Sequence, residues 1–241
     1  MGFKTSMIIV QEPSDTINNE ELLNSLGFSA FHLSGDTTFE ECMYPNDKSI
    51  NIGHYNNCLI ISDDYQLTAA LELSQSPQLL SEYEMILSEL FPDQEILTVA
   101  CHSAVNYHLY SLVKGGQKQR FKKVVHGEQL IEYGERIEEE KRVYQYSKII
   151  DGQVMFRSPF QEDSDYDNTE DQMMEDFAFG IAKRHLGVMI STSEDEELMF
   201  QTPFKKYIRS KPAEKGEYLG RFPVQTNQTK SSWLARLFKS F

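Results

Sequence analysis

The sequence predicts an α+β fold, or α/β, built on a mixed β-sheet with a central antiparallel hairpin and packed by three to four helices. Three observations carry this expectation. Short apolar runs alternate with helical repeats through the first half of the chain. Two strand-like segments flank Lys114-Gly115-Gly116-Gln117, where paired glycines tolerate the positive φ of a tight turn. A long apolar stripe at helical spacing then closes the pattern near residue 186. With 241 residues, 40% of them hydrophobic, the chain can supply a full core.

In chain order, Ser6–Val10 reads as a short buried strand stopped by Pro13. Asn18–Leu26 reads as a helix with Asn18 as cap, Glu21 closing a capping box and Gly27 at its end. Phe31-His32-Leu33 reads as a strand, with a turn at Gly35-Asp36. Cys58-Leu59-Ile60-Ile61 is continuously apolar and suits a strand covered on both faces. Asp63-Asp64 ends it, and a helix is expected over 65–73. Ser76-Pro77 reads as the start of a helix whose apolar positions run from Leu79 to Phe91, with Pro92 as its stop.

Ile96–Ala100, Tyr107–Val113 and Phe121–Val125 read as strands, the last two forming the hairpin. Leu130–Tyr133 and Val143–Ile150 are further strands, separated by the charged stretch GERIEEEKR. A helix is expected from Glu170 to Leu186. Thr169 and Gln172 form its capping box, acids occupy its first turn and Lys183-Arg184 its last. The expected organisation is one domain over 1–190, a flexible linker over 191–230, and an amphipathic basic helix over 231–241.

Charge divides the chain sharply. Residues 201–241 hold nine Lys/Arg against two Asp/Glu, a net of +7, whereas residues 1–200 hold 14 against 35, a net of −21. An acidic body repels a phosphate backbone, which argues against nucleic acid as a partner. Cys42, Cys58 and Cys101 are odd in number and far apart, which fits buried reduced thiols in the cytoplasm better than a disulfide framework. No apolar stretch has the length of a signal peptide core or a membrane span.

Candidate chemistry is sparse. His102-Ser103 would need geometry that strand neighbours do not supply, because they point to opposite faces. Asp63 ends a buried strand before a helix, where open α/β sheets place their active sites, but a capping role fits the same position. Asp163, Asp165 and Asp167 resemble the opening of a calcium loop; Met174 then stands where the loop needs a carboxylate, so no metal is expected. Gly2-Phe3-Lys4-Thr5 precedes a strand and so is not a phosphate-binding loop, although Met-Gly-x-x-x-Ser matches the myristoylation pattern. No cofactor motif is present. At the C-terminus, Trp233, Leu234, Leu237, Phe238 and Phe241 can share one helical side, ringed by Lys230, Arg236 and Lys239. Such a segment suits a protein surface, with a membrane surface as the alternative.

The order Met1-Gly2-Phe3-Lys4-Thr5, an apolar strand ending at Asp63, His102-Ser103-Ala104-Val105-Asn106-Tyr107, Gly134-Glu135 and a late helix resembles an uncharacterised bacterial family, a domain of unknown function. The likeness spans residues 1–187. Asn106 stands where the family usually has an acid. The resemblance directs attention to Lys4, Asp63 and His102 and carries no activity with it. The expected function is a cytoplasmic, non-catalytic protein-interaction or adaptor module acting through the C-terminal segment, by a partner or by self-association. The alternative is a small-molecule hydrolase with its site at Lys4, Asp63, His102 and Ser103.

Overall fold

Continuous apolar runs in the central strands, such as Met7-Ile8-Ile9-Val10 and Cys58-Leu59-Ile60-Ile61, dictate a sheet covered on both faces, and the computed structural model shows one. It describes residues 3–210 except 12, 14–16, 46, 72–75, 126–129, 158–164 and 191. The strands of the main sheet are β1 (Lys4–Gln11), β2 (Phe31–Thr38), β3 (Ile50–Tyr55), β4 (Cys58–Asp63), β5 (Glu95–His102), β6 (Tyr107–Lys114), β7 (Gln117–Val124), β8 (Ile131–Tyr133) and β12 (Pro203–Arg209). Their order is β2-β12-β3-β4-β1-β5-β6-β7-β8. A smaller sheet joins β9 (Ser147–Ile150), β10 (Gln153–Phe156) and β11 (Asn168–Thr169).

Every neighbouring pair in both sheets is antiparallel. The class is therefore α+β, and the expected mixed sheet and its α/β variant are corrected. Short connections such as Tyr55–Cys58 and Lys114–Gln117 return the chain antiparallel, as tight turns must. The β6–β7 hairpin lies toward one edge of the sheet; β1 takes the centre.

The described residues hold six α-helical segments rather than three to four: α1 (Asn19–Ser25), α2 (Phe39–Met43), α3 (Gln66–Ala69), α4 (Glu82–Leu90), α5 (Glu138–Tyr144) and α6 (Met174–Leu186). On one face of the sheet, Met7, Ile9, Ile60, Leu97, Val99 and Leu112 pack with Phe39 of α2 and Phe177 and Ile181 of α6, and Val143 of α5 joins them. On the other, Ile8, Val10, Ile61, Ile96 and Val113 pack with Leu22 and Leu23 of α1, Leu67 of α3 and Leu87 of α4.

Local signals explain the ends of several helices. Asn18 and Glu21 form the expected capping box of α1. The start of α4 is not at Ser76-Pro77 but at Ser81, where Ser81 and Glu84 form a capping box of the same kind. The stretch GERIEEEKR supplies α5 instead of a connection, so the strand after it shrinks to Ser147–Ile150. Residues 170–173 form a turn before α6, with the Thr169 N–H donating to Gln172 at 2.7 Å.

Two further expectations change. Gly35 and Asp36 lie inside β2, where a register shift in its pairing with β12 absorbs the irregularity, so no turn forms. The stretch 191–230 does not begin as a linker: residues 203–209 insert as β12 between β2 and β3, bonded on both sides. Phe204 lies against Gly53, where an added Cβ would meet its ring at 2.6 Å. The folded unit thus extends to Ser210. The segment expected as a C-terminal helix, with Trp233, Leu234, Arg236, Leu237, Phe238, Lys239 and Phe241, lies outside the described residues. No helix among the described residues is long and apolar enough to cross a membrane.

Candidate functional site

The residues singled out by sequence meet at one end of the central strands without forming a single site. Lys4 and His102 are direct partners across β1 and β5. The Lys4 ammonium lies 3.2 Å from Asp64 and donates to the Pro45 carbonyl at 3.1 Å. Asp64, not Asp63, is therefore the acid that answers Lys4.

Asp63 points into the core, 1% exposed. It accepts from the Ser6 hydroxyl at 2.8 Å and from the Leu67 N–H at 2.9 Å, with the Gln66 N–H adding a third bond. The capping role wins: an acid at the end of β4 satisfies the first amides of α3. Burial pushes its carboxyl up to about 6, against the pull of those three donors. The expectation of an active site at this strand end drew on parallel sheets, and this sheet is antiparallel.

His102 ends β5 and Ser103 opens a 3-10 turn, and their side chains have different partners. The His102 ring stacks near Tyr65, with centroids 6.3 Å apart. Burial, and then the Lys4 charge, lower its pKa. Its Nδ1 has no hydrogen-bond partner among the described residues. Ser103 accepts from the Phe3 N–H at 2.9 Å and donates to Glu175 of α6. No Ser–His pair forms: the Ser103 hydroxyl is bound to Glu175 and the Phe3 backbone, not to His102. Tyr65, held at φ 61, donates to the Cys101 carbonyl at 2.6 Å and ties the loop after β4 to β5.

Among the acids of the expected calcium loop, Asp165 and Asp167 are exposed, and Asp163 lies outside the described residues. Asp171 is engaged by Asn106 at 2.9 Å and by Thr169. Among the described residues no three His, Cys, Asp or Glu side chains gather to hold a metal ion. A depression of about 330 Å³ opens beside them, lined by Asn106, Val124, Leu130, Val154, Thr169 and Asp171 among others. A second, of about 360 Å³, lies between α2, β3 and β12, with Glu40, Glu41, Asp47 and Lys206 on its walls. Neither is lined by Lys4, Asp63, His102 or Ser103.

The charge chemistry that sequence reading missed lies in β7. Lys118, Arg120 and Lys122 look like surface cations, yet their side chains are at most 1% exposed. Lys118 sits 2.6 Å from Glu84 of α4 and donates to Ser111 at 2.9 Å. Arg120 grips Glu140 through two nitrogens, at 2.8 and 2.6 Å, and Tyr110 donates to the same carboxylate at 2.7 Å. Lys122 pairs with Glu170 at 2.6 Å beneath the Phe177 ring. Burial alone would raise the Glu140 carboxyl; the donors Arg120, Tyr110 and the Ile137 N–H overcome it and hold it below its usual range. Each cation finds a buried or half-buried acid between 20 and 48 residues away in sequence, and Arg120 a second, Glu132 of β8, twelve away. The one local signal was cations recurring at alternate positions within a strand. These pairs bind α4, α5 and the turn before α6 to the sheet.

No protein-family model, no curated protein and no solved structure matches the chain.

Proposed function

We propose that the protein is a non-catalytic interaction module, an adaptor of the bacterial cytoplasm that engages a protein partner or a second copy through its C-terminal segment. The observation that carries this reading is the charge division: a net of −21 over residues 1–200 against +7 over 201–241, with the aromatic residues Trp233, Phe238 and Phe241 among the basic ones. The site geometry favours it as well. Lys4 is bound to Asp64 and Pro45, Asp63 caps a helix, and Ser103 is bonded to Phe3 and Glu175. The bacterial resemblance of residues 1–187 belongs to the same proposal.

Deletion of residues 226–241 is expected to abolish self-association in analytical ultracentrifugation, or capture of a partner on an immobilised full-length chain. Association unchanged by the deletion overturns the reading. The rival, a small-molecule hydrolase, rests on the buried Nδ1 of His102, which has no hydrogen-bond partner among the described residues, beside the Lys4–Asp64 pair. It predicts turnover of activated ester or phosphoester substrates that His102→Ala abolishes.

A further inference from the structure

The two helical layers differ in charge. From Thr5 to Val113 the chain carries 16 Asp/Glu and a single base, Lys48. All of α1, α3 and α4 comes from this stretch, so one covering layer of the sheet contains no Lys or Arg. Its outer surface exposes Glu20, Glu21, Glu89 and Asp93. The same stretch exposes two apolar side chains, Leu79 at 51%, just before α4, and Met85 at 48%, on α4. The opposite layer mixes signs, with Lys141, Arg142, Lys183 and Arg184 on α5 and α6 beside Glu138, Glu139, Glu140, Glu175 and Asp176 on the same helices.

The described chain leaves the fold beside the acidic layer. The Ser210 N–H donates to the Ala30 carbonyl at 3.4 Å. Phe28, two residues earlier, stacks on Tyr83 of α4 with centroids 5.9 Å apart. The exit point is therefore at the junction of α1 and α4. On the neighbouring β12 the cation Lys205 is already taken by Asp36 at 2.6 Å. From Ser210, the twenty residues before Ser231 can reach at most about 70 Å when extended. That exceeds the span of a domain this size, whose radius of gyration is about 17 Å.

We infer that the α1–α4 face is the seat of this chain's own residues 230–241, with Lys230, Arg236 and Lys239 against its acids and the Trp233 side of the segment over Leu79 and Met85. This rests on the reading of that segment as the interaction element, and adds a regulatory consequence. A partner must compete with the chain's own body, so its affinity rises when Glu89 and Asp93 are neutralised, or when its own acids outbid them. Charge complementarity, the exit point and the exposed apolar side chains Leu79 and Met85 all favour the same occupant.

Trp233 is the chain's only tryptophan, so its fluorescence reports the contact directly. In the full-length protein its emission is expected to be shifted to short wavelength and shielded from acrylamide, independently of dilution. High salt, Met85→Ser or the pair Glu89→Lys with Asp93→Lys should shift emission to long wavelength and raise quenching to the level of an isolated 230–241 peptide. Glu138→Lys, an exposed reversal on α5, should leave both unchanged. An exposed Trp233 in the unaltered protein overturns the inference. So does shielding that the α4 variants do not change, or shielding that vanishes on dilution, which would assign the seat to a second copy. Loss of association in the deletion with no fluorescence response in the α4 variants keeps the interaction function and rejects this seat.

Discussion

Strands β1 and β7 lie three places apart in one sheet, and both bury most of their side chains by opposite means. β1, KTSMIIVQ, fills its two faces with Met7, Ile8, Ile9 and Val10, all at most 1% exposed. β7, QKQRFKKV, buries three cations in a row of alternating positions and neutralises each with a carboxylate from a helix, β8 or the turn before α6. Apolar burial is non-directional and tolerates any apolar neighbour. A buried cation is stable only with its particular acid in place, because removing one partner leaves the other desolvated and unpaired. The centre of the sheet is therefore forgiving, and its β7 edge is specified pair by pair.

The largest effect expected from breaking this comparison is at Glu140. Glu140→Ala removes the fully buried acid of Arg120, whose side chain is 1% exposed, leaving it only the half-exposed Glu132 and the Tyr133 and Gly134 carbonyls, and takes the acceptor from the Tyr110 hydroxyl. Urea unfolding should show a loss of about 3–5 kcal/mol. The double variant Arg120→Met, Glu140→Leu should recover most of it, since replacing both charges with apolar groups of similar size is close to neutral. A single-variant loss no larger than that of an exposed ion pair would show that water reaches the pair, and that β7 is not specified in this way.

A second effect is smaller and tied to pH. Burial depresses the His108 imidazole to about 4, with Asp171 opposing and His102 adding to the fall. A folded-state value below the unfolded one, near 6.5, gives stability that is present above 6.5 and lost as pH falls through about 4. Asp63 has the opposite sign. Its value, raised to about 6 from 3.8, gives a contribution present below 3.8 and lost as pH rises through 6. His108→Gln should therefore flatten the acid limb. Between pH 7 and 4.5 the unaltered protein is expected to lose about 2.5 kcal/mol more than the variant. Parallel stability curves for the two proteins would show that His108 is protonated without cost, and so is solvated.

This contrast also explains what sequence reading reached. Periodicity placed β1, β4, β5, the β6–β7 pair, α1 and most of α6, because apolar spacing and caps such as Asn18–Glu21 are local. It lost β12, because Pro203–Arg209 follows an acidic run and is recognisable as a strand only from its partners β2 and β3. It also missed α5, whose stretch GERIEEEKR looks like a solvated connection until Glu140 meets Arg120. Of the candidate site, the cross-strand meeting of Lys4 and His102 was not legible, since register depends on how β1 and β5 pair. The capping role of Asp63 was legible, because it spans only the four residues to Leu67.

The smallest expected effect separates two lysines of one hairpin. Lys114 and Lys118 lie four positions apart, and each meets a glutamate. The Lys114–Glu95 contact is 3.3 Å long with 59% of the lysine side chain exposed, and Glu95 also has Arg184 at 3.2 Å. Lys114→Ala should change stability by less than about 0.5 kcal/mol, and by nothing measurable in high salt, because solvent screens the pair and the acid keeps a second cation. Lys118 has neither cushion: Glu84 is itself 1% exposed, and its other bonds serve the α4 cap and Ser111. Thermal unfolding of Lys114→Ala and Lys118→Ala at low and high salt tests the difference directly. Equal losses would mean that burial does not decide the worth of an ion pair in this sheet. A large, salt-insensitive loss at Lys118 alone would show that these pairs, rather than the hairpin turn between them, fix where α4 lies on the sheet.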